Sequence, residues 1–132
     1  MHSLNVYRLA RVLLAVVFIG LGIERVLVAA GLLPASGAGT SMGALAFGVF
    51  ELVAGLLLAV GWQVRTIALV LAAFLLVDAF LSHPFWRFAA GEAQHGQLLH
   101  FLKNIAMIGG FVLLAWTTSA GSASASGAST PR

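Results

Sequence analysis

The stretch Leu98–Trp116, LLHFLKNIAMIGGFVLLAW, decides what kind of solvent this chain must fold in. It is long and apolar enough to cross a bilayer, yet it carries His100, Lys103 and Asn104 near its start. At 3.6 residues per turn, His100, Lys103, Asn104 and Met107 stand at i, i+3, i+4 and i+7 and make one polar stripe. An ammonium at the centre of hydrocarbon costs about 2.5–3.5 kcal/mol on insertion scales. The stripe is therefore expected to face other helices, with an acid paired to Lys103. Three other apolar segments each hold one acid: Glu24, Glu51 and Asp78.

Of the 132 residues, 61% are hydrophobic and only 8% charged. A soluble domain of this size cannot bury that much apolar surface, so the lipid bilayer is the expected partner. There is no cysteine. That excludes thiol chemistry and cysteine-ligated iron–sulfur or zinc centres, and the chain encodes no redox centre of its own. The formal charge is +3, but the basic residues are scattered singly, so no nucleic-acid partner is expected. No phosphate loop, Ser/His/Asp arrangement or metal-spaced cluster occurs, and no metal is expected.

The spacing of apolar runs predicts spans over about 9–33, 44–62, 66–83 and 98–116. Each matches a hydrocarbon core of about 30 Å at about 1.5 Å per residue. The expected fold is all-α, a four-helix transmembrane bundle of up-down-up-down topology occupying residues 1–116. The first stretch competes as a secretory leader, because PASGA follows it, but its length and the internal Glu24-Arg25 favour a span. Pro84 is expected to end the third helix. Gly20, Gly22, Gly48, Gly55, Gly109 and Gly110 are expected at close helix contacts. Residues 117–132 are rich in Ser, Ala and Gly, lack a hydrophobic period, and are expected to be a disordered tail. Arg8, Arg11, Arg65 and Arg132 fall on one side of the membrane, and Arg87, with Glu92 nearby, on the other. The positive-inside rule then gives a multi-pass protein of the cell (plasma) membrane with both termini cytoplasmic.

In that topology the charged residues inside the four spans lie within about 7–14 Å of the outer helix ends. Glu24, Arg25, Glu51, Asp78, His83, His100, Lys103 and Asn104 are thus expected to form one polar layer. Its three acids face two bases, so one carboxylate must be protonated, pair with a histidine or meet water. The residues alone leave two roles open, a structural layer of ion pairs or a ligand site.

Several motifs are similar to those of the DoxX family of small four-helix membrane proteins. They are Gly22-Ile23-Glu24-Arg25, the run FELVAGLLLAVGWQVRTIALVLAAF at Phe50–Phe74, His83-Pro84-Phe85-Trp86, and HFLKNIAMIGGFVLLAW at His100–Trp116. The resemblance runs from about Leu9 to Trp116, and it carries over Arg25, Glu51, His83, Lys103 and Asn104. It implies a component of a quinone-linked oxidoreductase system or of an oxidative-stress response. On that implication the polar layer is a quinone site, the chain encodes no cofactor of its own and quinone is the expected one, and electrons pass to a soluble or membrane redox partner or a bound cofactor. Whether the chain is itself an enzyme stays open, as does homo-oligomer formation. The alternative is a non-catalytic membrane scaffold or small-solute carrier with a structural charge layer.

Overall fold

The structure is a computed structural model that describes the backbone of residues 2–34 and 41–127. It is all-α among these residues, with four long helices: α1 (His2–Ala29), α2 (Met42–Val60), α3 (Val64–Ser82) and α4 (Glu92–Gly127). A short 3-10 turn, Phe85–Arg87, lies between α3 and α4. Four stretches among the described residues are long and apolar enough to cross a membrane: Asn5–Ala29, Met42–Val60, Val64–Arg87 and Glu92–Thr118.

Local chemistry explains most helix ends. Ser41 caps α2, its hydroxyl accepting from Ala44 N–H at 3.1 Å. Gly61 closes α2 in the left-handed conformation, φ +92°, and its N–H donates to Leu57 O at 3.0 Å. Only glycine adopts that conformation without strain. Gly31, φ +72°, follows α1, where Leu32 N–H donates back to Leu27 O at 2.9 Å. The first helix therefore stops at Ala29 rather than near residue 33. The third ends at Ser82, since Pro84 disfavours helical backbone in the residue before it.

The fourth helix departs from the expected limits at both ends. It begins at Glu92, because the polar residues Glu92–Gln97 are helical although hydropathy does not mark them. It then continues past Trp116 to Gly127, through a stretch expected to be disordered. Thr117 and Thr118 fold their hydroxyls back onto Leu114 O at 3.0 and 2.8 Å, so their polar groups are satisfied within the helix. Residues 35–40, in the expected loop, and 128–132, at the end of the tail, lie outside the described residues.

The chain divides into two compact units, 1–63 and 64–132, each built on an antiparallel helix pair. In the first, buried Ala15, Phe18 and Gly22 of α1 recur at i, i+3 and i+7. Gly48, Glu51, Gly55 and Leu58 of α2 do likewise. In the second, α3 buries Val64, Ala68, Leu71, Leu75 and Ala79, and α4 buries Asn104, Phe111, Leu114 and Ala115. The outer faces stay apolar, with Leu13, Val53, Val77 and Leu113 all exposed, as a lipid solvent requires.

Candidate functional site

Three glycines position the polar group of the first hairpin. A Cβ on Gly22 would lie 2.5 Å from Leu52 N and 2.8 Å from Gly48 O. One on Gly48 would lie 2.7 Å from Arg25 Cβ, and one on Gly55 2.9 Å from Ile19 Cγ1. The α1 and α2 backbones thus touch where these side chains are missing. A Cβ on Gly20 or Gly109, by contrast, would meet nothing within 4 Å. The approach at Gly22 and Gly48 brings Arg25 over Glu51, and the two form an ion pair. Glu51 is only 2% exposed, and the Arg25 guanidinium balances its carboxylate at the helix contact. Glu24, the neighbour of Arg25, is exposed and belongs to a different face of α1.

At the other end of this hairpin Arg11 covers the C-terminus of α2. Its Nη2 donates to Ala59 O at 3.1 Å, and its guanidinium fills the space a side chain on Gly61 would need. A cation at that end satisfies helix carbonyls that have no partner within the helix.

The second hairpin carries a larger polar cluster. Asn104, buried on α4, donates from Nδ2 to Asp78 Oδ2 at 2.9 Å. Ser82, one turn after Asp78, donates to Asp78 Oδ1 at 2.7 Å. His83 Nε2 stands 3.7 Å from Asp78 Oδ2, while His83 Nδ1 is bonded to Gln97 Oε1 at 2.9 Å. The His83 ring stacks on His100 with centroids 5.0 Å apart and planes 16° from parallel. Lys103 Nζ donates to His100 Nδ1 at 3.4 Å. Beside these groups sits an aromatic cluster. Phe101 meets Phe80, Phe85 and Trp86 at 5.3, 5.4 and 6.1 Å, edge on to all three rings.

The expected polar stripe of α4 is therefore split. Asn104 points inward, whereas His100 and Lys103 are exposed. The expected acid partner of Lys103 is corrected within its own hairpin: Asp78 is engaged by Asn104, Ser82 and His83, and Lys103 makes no ion pair there among the described residues. The physical reason is angular. Successive helix residues are about 100° apart, so register that aims Asn104 at Asp78 turns Lys103 to the side. Within the first hairpin, Glu51 has a base in Arg25.

Sequence reasoning missed Ser82, Gln97, Phe80 and Phe101. Ser82 was legible as the i+4 neighbour of Asp78. Gln97 was not, because its role needs α4 to begin several residues before its apolar run. Among the described residues no three histidine or acidic side chains come together as a metal set.

Comparison with known proteins bears on the first three helices. A family model described as DoxX matches residues 7–84. The α4 motif lies beyond that match. The inner membrane protein YphA of Escherichia coli (strain K12) is 32% identical over 69 residues, which are 52% of this chain. The match spans 49% of that protein's length. No solved structure matches the chain.

Proposed function

This chain belongs to the DoxX family, and on that premise we propose that it is an integral membrane component of a quinone-linked oxidoreductase system, with its head-group site at the polar, aromatic end of the α3/α4 hairpin. The observation that carries this reading is the cluster around Asp78 and Asn104. It sets fixed polar groups beside four aromatic rings on a membrane-spanning hairpin. A quinone is a flat apolar ring with carbonyl oxygens at its rim. It calls for aromatic neighbours, hydrogen-bond donors and a group that handles protons. Phe80, Phe85, Trp86 and Phe101 supply the first, Lys103 and His100 the second, and His83 with Asp78 the third. The sequence encodes no cysteine-held redox centre, so on this reading electrons pass through a partner protein or a bound cofactor.

The test is binding of a short-chain benzoquinone to the protein in lipid nanodiscs. Lys103 and His100 are exposed, so Lys103→Met and His100→Leu leave the hairpin folded. Each is expected to weaken binding about ten-fold, the worth of one hydrogen bond of about 1.4 kcal/mol. Absence of quinone binding, or affinity indifferent to both variants, would reject the reading. The structural alternative has its own support in the first hairpin. The Arg25–Glu51 pair lies at a close glycine contact between α1 and α2, where an ion pair would fix helix register.

The proposed site faces outward if both termini are cytoplasmic, the orientation favoured by Arg8, Arg11 and Arg65 against Arg87. A reporter fused after Arg132 is then active when it requires the cytoplasm and silent when it requires export. An active exported reporter would invert the topology.

A further inference from the structure

The two stacked histidines of the second hairpin differ in what holds them. Gln97 Oε1 is an acceptor only, so the His83 nitrogen bonded to it, Nδ1, carries the hydrogen. The lone pair of neutral His83 is then on Nε2, which faces Asp78 Oδ2 at 3.7 Å. Lys103 Nζ is a donor only, so His100 Nδ1 accepts and the hydrogen of neutral His100 is on Nε2. The rings lie nearly parallel, 16° apart, with centroids 5.0 Å apart, and their partners call for opposite tautomers.

We propose that His83 Nε2 is the proton-accepting atom of this hairpin and that His100 Nε2–H is a hydrogen-bond donor that keeps its hydrogen, with Gln97 and Lys103 as the positioning residues that set the two tautomers. The inference goes beyond the quinone reading, because it holds for any hydroxyl-bearing ligand or for water. When a ligand O–H breaks, its hydrogen leaves as a proton and forms an N–H bond at His83 Nε2, and the bonding pair stays on the ligand oxygen, which becomes an anion that His100 Nε2–H can hydrogen-bond. The ring becomes a cation beside the Asp78 carboxylate, and the reverse step returns the proton. Asp78 is held in place by Asn104 and Ser82, which occupy its two oxygens as donors. Among the described residues, Asp78 on α3 and His100 on α4 face His83, and Lys103 on α4 is bonded to the far ring, His100. The hydrogen on a ring nitrogen is set by the bond its other nitrogen makes, and such control is what separates a proton relay from two packed histidines.

The test is ¹⁵N NMR of histidine-labelled protein in lipid nanodiscs with no quinone added. Signals are assigned by their loss in single His→Gln variants. If His83→Gln does not fold, its signal is the one left after His2, His95 and His100 are assigned. The expected result is a neutral His83 protonated at Nδ1, a neutral His100 protonated at Nε2, and addition of acid at His83 Nε2. Gln97→Leu is expected to turn the single His83 tautomer into a mixture, and Gln97→Glu, which keeps an acceptor, to preserve it. A neutral His83 protonated at Nε2, or a tautomer indifferent to Gln97→Leu, overturns the proposal. If the Gln97 variants do not fold, the wild-type tautomers decide alone. Failure of quinone binding would leave this result untouched, so the two readings fail separately.

Discussion

Glu51→Leu destabilises the first hairpin by about 2–3 kcal/mol, and adding Arg25→Met to the same chain restores a large part of that loss. The reason is that Glu51 is 2% exposed and paired with Arg25. Removing the acid strands a guanidinium at a helix contact on a membrane-spanning hairpin. Breaking a buried pair costs about 3–5 kcal/mol in soluble proteins. Couplings measured within membranes are smaller, which brings the figure down. Replacing both members with apolar groups removes the stranded charge, so the double variant is more stable than the sum of the single effects allows. Denaturation of the four proteins of the cycle in mild detergent gives the coupling directly. Strict additivity would mean that Arg25 and Glu51 do not support one another.

The second large effect is expected at Gly22. Gly22→Ala puts a methyl 2.5 Å from Leu52 N and 2.8 Å from Gly48 O. Both are backbone atoms, which cannot swing aside as a side-chain tip would. The helices must separate by several tenths of an ångström or more, loosening the contact that holds Arg25 over Glu51. Overpacking of this kind costs about 1–3 kcal/mol, and here the upper part of that range applies because the ion pair is strained as well. Gly20→Ala is the control. Nothing lies within 4 Å of its added methyl, so the higher helix propensity of alanine leaves stability unchanged or slightly raised. Equal loss at both positions would show that the glycines serve helix flexibility and not the contact with α2.

Much of the fold was legible because bilayer physics is severe. A chain with 61% hydrophobic residues grouped in four long runs has few alternatives to four helices. The resemblance to the DoxX family also held, carried by Gly22–Arg25 and Phe50–Phe74, which lie inside the matched residues 7–84. Boundaries were less legible. The polar start of α4 at Glu92 and its continuation past Trp116 leave no hydropathic trace; at Thr117 and Thr118 the hydroxyls bond back to the helix without being apolar.

The site was legible as a list of residues and not as a set of pairs. Charges within spans are expensive, so Glu51, Asp78, Lys103 and Asn104 stood out from sequence alone. Which of them meet depends on helix register and on backbone separation. In the first hairpin the gap at Gly22 and Gly48 gave Glu51 to Arg25. In the second, one residue of rotation gave Asp78 to Asn104 and left Lys103 to His100. The sequence by itself determined the solvent, the helix count and the residues that must find partners, since these follow from composition and from distance along the chain. The tertiary structure decided the partners, since an angle of about 100° per residue and a missing Cβ act across helices, where no linear pattern records them.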